Sequence, residues 1–386
     1  MTIVRELKSL FCGGNIMARL KLIIADLDDT YVESIASYLQ LNHSQKFQVS
    51  SFTDKQCLVE YLSGEGNSID ILLIEESLYS DEIPTKNISN VILLTAEKVA
   101  STQDDYYTIC KYQQGDKIVS DIFNIYAEKE DAKVINVTGE KKTKLVAVYS
   151  PIGGAGKTTI ATSCAIQCAQ KGLEVFYLNL EDFQSTPLFF SCKGECNLSN
   201  ILYYLKDNSK NMQLRIEGTK LFDTDYNLHY FCPPESLLDL QESKPEELVT
   251  LLDEFRNMSQ YDIVFVDMSS SFDDKNIEIL NACDEILLVL PQDAVSDIKV
   301  ELFSKEMSIL KERKGLDLAD KINMVLNKYN AYMALEVDTA EVCGKSIEYY
   351  IPVVPGMMAV KGNNRLMDLQ GEFTESIEEL IERYDI

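Results

Sequence analysis

No run in this 386-residue chain approaches the roughly 18 uncharged apolar residues that a helix needs to cross a membrane, so direct membrane insertion is not expected. The first residues, MTIVRELKSLFCGGNIMARLK, carry charges on both sides of a very short apolar patch, the wrong pattern for a secretion signal. Histidine is scarce, with two in the chain. Only one cysteine pair, Cys192 and Cys196 in CKGEC, is spaced like metal ligands, and no second pair completes a zinc ribbon. A metal site there is not expected. Basic residues are also short, with 36 Lys and Arg against 62 Asp and Glu and a formal charge of −26 at pH 7. Binding nucleic acid without regard to sequence takes clustered bases that neutralise phosphates, so nucleic acid is not expected as a partner. Internal repeats and low-complexity tracts are absent as well.

With 46% hydrophobic residues and a length beyond what one core usually supports, the chain reads as two domains. The ten cysteines lie mostly inside apolar runs, as with Cys164 and Cys168 one helical turn apart. That suits buried reduced thiols and a cytoplasmic protein. Met17 is a second candidate start, because the first strand-like run begins only at Leu20. From there strands (LKLIIAD, KFQVSSF, IDILLIEE, NVILLTAE, YYTICKY) and helices (Tyr31 to Leu41, Lys55 to Leu62) follow one another to about Ala127, which predicts a parallel sheet. Residues 128–143 are charged and weakly periodic, a linker with a short strand at VINV. A second domain, 144–386, opens on KLVAVYS and continues through EVFYLNL, YDIVFVDM, EILLVLP and INMVLNK with helices between. Near its end Phe373, Ile377, Leu380, Ile381 and Tyr384 fall at helical spacing among seven acids and one base between Met367 and Ile386. A membrane-surface helix wants the opposite charge, so this helix is expected to pack on its own domain.

The strongest signal is a strand followed by SPIGGAGKTT and a helix-forming run, at residues 150–159. That context makes a glycine motif a phosphate site. Gly153, Gly154, Ala155 and Gly156 form the cradle, the glycines permitting positive φ and close approach so that successive N–H groups face phosphate oxygens. Lys157 supplies a point charge to the β and γ phosphates, Thr158 a hydroxyl for Mg²⁺, and Thr159 a cap near the α phosphate. Asp267 ends the apolar strand YDIVFVD, where a carboxylate reaches the metal directly or through water. Asn327 ends another strand, and NKYN (327–330) has asparagine where a guanine reader needs an acid, so adenine is preferred.

On these segments residues 144–386 resemble the MinD/ParA family of deviant Walker ATPases, whose phosphate loop reads roughly xKGGxGKTT. VFYLNLED resembles the family's second-strand acidic motif, YDIVFVDMSSS its metal-binding strand, and VLNK with the later IPVVP, including Pro352, its adenine-side elements. The resemblance implies ATP and Mg²⁺ as cofactors, a homodimer with nucleotide sandwiched between subunits, and catalytic roles for Lys157 and Glu181. Two positions depart from the pattern. The signature lysine that reaches the partner's phosphates falls at Ile152, and the aspartate that positions the attacking water falls at Asn179, a degenerate catalytic position. Hydrolysis of ATP to ADP and phosphate is therefore expected to be weak at most. Restoring Asn179→Asp is expected to help modestly and Ile152→Lys to be needed for more.

Residues 18–127 resemble a response-regulator receiver with a degenerate site. Asp26 matches one of its acidic pair beside Leu27, Glu75 falls at the phosphoacceptor position, Thr95 at the switch threonine, and Lys111 at the phosphoryl-contacting lysine. The implied fold class is α/β, a receiver-like, flavodoxin-like doubly wound sheet followed by a larger MinD/ParA, SIMIBI-type P-loop ATPase domain. A receiver-like domain joined to such an ATPase resembles the TadZ/CpaE family of Flp/Tad type IVb pilus systems. That resemblance implies a localisation factor, cytoplasmic and concentrated at a cell pole, that recruits pilus secretion proteins including a motor ATPase. Two rivals share parts of this pattern. A MinD-type regulator of division or flagella usually carries a basic C-terminal helix, absent here, and a receiver-linked transcription-activator ATPase needs a σ-factor loop and a DNA-reading helix, of which the sequence has neither.

Overall fold

A computed structural model describes residues 19–64, 68–97, 102–103, 106–129, 142–192, 196–332, 341–354 and 371–384. Met17 and the VINV segment lie outside them. The chain divides into two compact units, one running through Gly115 and the other from Asp116 onward.

The first unit contains β1 (Leu20–Ala25), α1 (Asp29–Asn42), β2 (Phe47–Phe52), α2 (Lys55–Ser63), β3 (Ile69–Glu75), β4 (Ile88–Thr95), β5 (Thr102–Gln103) and β6 (Tyr106–Cys110). Its sheet has the order β2-β1-β3-β4-β6-β5. All neighbours are parallel except β5, a two-residue edge strand antiparallel to β6 that the sequence pattern did not signal. β1 and β3 sit centrally and are largely apolar, broken by Lys21 and Asp70, because strands covered on both faces have little solvent side to alternate with. Asp28 starts α1 by accepting hydrogen bonds from the Thr30 and Tyr31 backbone N–H groups. Between β3 and β4 the chain makes turns rather than a helix. Leu78 and Ile83 from that stretch join Leu58 and Leu62 of α2 in the core over one sheet face.

Helix α3 (Gly115–Ala127) was not anticipated, although Ile118, Val119, Ile122, Phe123 and Tyr126 repeat at helical spacing and are all buried. From Asp116 it belongs to the second unit. Arg215 Nη1 donates to the Asn124 carbonyl at 2.7 Å, and Asn211 Nδ2 donates to those of Ala127 and Lys129 at 2.9 and 3.0 Å, so side chains satisfy the carbonyls at its end. Gly218 permits this packing, since a Cβ there would lie 3.0 Å from Phe123 Cβ and 3.2 Å from the Ser120 carbonyl.

The rest of that unit comprises β7 (Lys144–Tyr149), α4 (Lys157–Gln170), β8 (Val175–Leu180), α5 (Thr186–Phe189), α6 (Leu198–Lys206), α7 (Met212–Thr219), β9 (Leu221–Asp223), β10 (Leu228–Tyr230), α8 (Leu237–Glu242), α9 (Pro245–Met258), β11 (Ile263–Met268), α10 (Asp274–Ala282), β12 (Glu285–Pro291), α11 (Ala294–Lys314), β13 (Ile322–Tyr329), β14 (Ile347–Pro352) and α12 (Glu372–Ile381). The sheet order is β14-β13-β12-β7-β11-β8-β10-β9, parallel except for the β9–β10 edge hairpin, which the sequence pattern also did not signal. Central β7 lies between β12 and β11, so the chain winds outward from it to both sides, and a crevice forms beyond the carboxyl ends of the strands. The C-terminal helix α12 buries Phe373, Ile377, Leu380 and Ile381 against α4 and β14, as its charge pattern led us to expect. No helix among the described residues is long and apolar enough to cross a membrane.

Candidate functional site

The turn from β7 into α4 carries the candidate phosphate loop. Gly154 and Gly156 take φ of 72° and 96°, values that side-chain-bearing residues rarely adopt. A Cβ on Gly156 would also collide with Asn327 Nδ2, which donates to the Ala155 carbonyl at 2.8 Å. The next residue, Lys328, donates from Nζ to the Gly154 carbonyl at 2.7 Å. The end of β13 thus ties down two carbonyls of the loop. Lys328 was not singled out from the sequence. Its place directly after Asn327 was the available signal. Pro352 ends β14, the strand beside β13 at the sheet edge, where it pairs with Tyr329. Asn330 donates its backbone N–H to Gln292 Oε1 at 2.7 Å.

Lys157 opens α4 with its ammonium buried, 2.9 Å from Ser270 Oγ and 3.4 Å from Glu181 Oε1. Thr158 donates to Glu181 Oε2 at 3.0 Å, so one carboxylate spans the lysine and the threonine. Thr159, the next residue of the same turn, is half-buried. Register brings the remaining groups in. Asp267 of β11 pairs with Asn179 of β8, and Phe265 with Tyr177, so Asp267, Asn179 and Tyr177 share one sheet face. Tyr177 donates to Asp267 Oδ2 at 2.9 Å and accepts from Asn179 Nδ2 at 3.1 Å. The other end of the Asn179 amide accepts the Glu181 backbone N–H at 2.8 Å. Both ends of that side chain are engaged inside the protein. Ile152 is likewise withdrawn, 5% exposed and part of the core of its own unit.

Asp267 is fully buried. Burial first, and then the Glu181 carboxylate, push its carboxyl up to about 7 against the pull of Thr158, Tyr177 and Lys157. Its Oδ1 has no hydrogen-bond partner among the described residues. A buried carboxylate oxygen left open beside the Thr158 hydroxyl and the Glu181 carboxylate is the donor set a hard divalent cation takes.

In the first unit, Asp26, Glu75 and Lys111 converge at the carboxyl ends of β1, β3 and β6. Lys111 Nζ lies 2.5 Å from Asp26 Oδ2 and 3.3 Å from Glu75 Oε1. The rings of Tyr31 and Tyr112 flank the ammonium at 5.0 and 5.8 Å from their centroids. Burial works to lower the Lys111 pKa, but contact with Asp26, and then Glu75, overrides it and holds it above the ordinary value. Thr95 ends β4, and its hydroxyl donates to the Glu97 carbonyl at 2.9 Å. The Lys111 ammonium already engages both carboxylates here, and Glu75 offers no aspartyl oxygen at the usual reach. Incubation with acetyl phosphate and Mg²⁺ is therefore expected to leave the chain unmodified by intact mass, and a stable phosphoryl adduct at this site would contradict that.

Cys196 Sγ meets Ser120 Oγ at 2.9 Å, and no group of three or more metal-binding side chains occurs among the described residues.

Known proteins divide the chain in the same way as these sites. Residues 18–127 match the family described as the TadZ-like receiver domain, and residues 143–322 match an AAA domain family. The ParA family ATPase from Chlorobium tepidum TLS superposes with a TM-score of 0.52 at 18% identity, over 62% of this chain and 98% of that one. The MinD cell division protein of Aquifex aeolicus gives 0.50 at 15% identity, over 62% and 96%. The septum site-determining protein MinD of Pyrococcus horikoshii OT3, complexed with Mg-ADP, gives 0.46 at 15%, over 63% and 96%. At such identities the likeness is one of fold. No curated protein matches the chain. The fold is a receiver-like domain followed by a ParA/MinD-type P-loop α/β domain.

Proposed function

We propose, from the premise that this chain joins a TadZ-like receiver domain to a ParA/MinD-type ATPase domain in the TadZ/CpaE architecture, that it is an ATP-binding localisation factor of a Flp/Tad pilus secretion system. Residues 150–159 hold the phosphates, Asn327 and Pro352 line the adenine side, and Thr158 with Asp267 holds Mg²⁺, which supplies charge neutralisation at the phosphates. Lys157 binds the terminal phosphates, and Glu181 is the one carboxylate left to orient a water. A single observation carries the reading of a slow switch rather than an ordinary ATPase: Asn179, at the water-positioning place, has both ends of its amide bonded inside the protein.

Nucleotide then acts as a clamp between two copies. Phe183 and Leu188, just beyond Glu181, are 80% and 61% exposed, which supports a homodimer that covers this face. In solution, ATP with Mg²⁺ is expected to convert the chain to a long-lived dimer by light scattering, while ADP leaves it monomeric. A monomer under both conditions would sink the clamp. In cells, loss of the protein should disperse the pilus motor ATPase from a cytoplasmic focus at the pole. A change in cell length or flagellar number instead would favour a MinD-type regulator.

A further inference from the structure

We infer that Tyr177 is a positioning residue for Asp267, fed by Asn179 in a one-way chain of hydrogen bonds that presents a single open carboxylate oxygen to the metal. The inference rests on the reading of Asp267 as a Mg²⁺ contact and adds residues that reading does not use.

The direction of the chain follows from donor chemistry alone. The Glu181 backbone N–H can only donate, so the Asn179 atom 2.8 Å away is the carbonyl oxygen, and Nδ2 is left to face Tyr177. Tyr177 Oη accepts that N–H at 3.1 Å, so its own proton is free to go to Asp267 Oδ2 at 2.9 Å. With Oδ2 held and Oδ1 without a partner among the described residues, the carboxylate cannot turn away without losing a buried hydrogen bond. Its open oxygen is aimed before any cation arrives. A phenylalanine at 177 would fill the same space in the fully buried ring cluster with Phe190, so the hydroxyl is there for its bond rather than for packing. Asparagine at 179 belongs to the same device. An aspartate would keep the acceptor for Glu181 but offer Tyr177 no donor, and two carboxylates would then compete for one phenolic proton.

Outer groups that orient a metal ligand are typically worth about 10- to 100-fold in metal affinity. With the full-length chain and a fluorescent ATP analogue, Tyr177→Phe is expected to raise the Mg²⁺ concentration for half-maximal binding about tenfold or more, while binding in EDTA stays as in wild type. Asn179→Asp should shift the Mg²⁺ requirement in the same direction and add nothing in the Tyr177→Phe background. That second variant also carries the test if Tyr177→Phe does not fold. An unchanged Mg²⁺ requirement in both variants, or an equal loss with and without Mg²⁺, overturns the relay alone. A wild-type chain that binds no analogue in Mg²⁺ overturns the nucleotide reading and the relay with it.

Discussion

Purified chain in ATP and Mg²⁺ is expected to turn over at least about 10²-fold more slowly than a family member that keeps both the signature lysine and the water-positioning aspartate. Phosphoryl transfer is accelerated mainly by positioned positive charge and an oriented water, and a cation supplied in trans is alone worth about 10³ to 10⁵ in rate. At the two positions that the resemblance aligns with these aids, the chain has Ile152 and Asn179. Ile152 brings no charge and is packed into the core of its own unit, while the Asn179 amide is committed to Tyr177 and Glu181. The geometry also changes what the restoring substitutions should do. A lysine at 152 would start with its ammonium in an apolar core, a cost that must be met by moving the loop. An aspartate at 179 would break the donor chain to Asp267 rather than free a base. Neither single substitution is expected to raise turnover, which replaces the modest gain from Asn179→Asp that the sequence pattern suggested. A steady-state rate near about 1 per second for wild type would defeat this account, because that lies in the ordinary range for enzymes.

Lys157→Ala is expected to weaken Mg-ATP binding by about 1.5 to 3 kcal/mol, the scale of a hydrogen bond to a charged group. The structure places the effect toward the top of that range. The ammonium is held between Ser270 and Glu181, so removing it takes a cation from the phosphates and also leaves the Glu181 carboxylate uncompensated beside them. Calorimetry on wild type and variant measures the difference directly. Equal affinities, or a clear preference for GTP over ATP, would remove the basis of the nucleotide reading.

The glycine loop between β7 and α4 was legible in sequence because its geometry is local. A strand, three glycines, a lysine and two threonines within ten residues need only the backbone's own geometry to make a cradle, and the φ values of 72° and 96° at Gly154 and Gly156 are of the kind glycine permits. The parallel sheets were legible for a related reason, since strands buried on both faces write themselves as largely apolar runs. Helix α3 was not anticipated although its apolar residues fall at helical spacing, and its packing in the second unit draws on Asn211, Arg215 and Gly218, far along the chain. Asp267, Asn179 and Tyr177 each stood in view as letters, but only the β8–β11 register sets them side by side on one face. Whether an amide is free or spent, whether an isoleucine faces a partner or its own core, and which carboxylate oxygen stays open are questions of three-dimensional neighbours. Short-range backbone preference and hydrophobic periodicity were enough to read the glycine loop and the long core strands, though not α3, β5 or the β9–β10 hairpin. Tertiary structure decided the polarity of the site, because hydrogen bonds between strands join residues about ninety positions apart, a separation that no local pattern records.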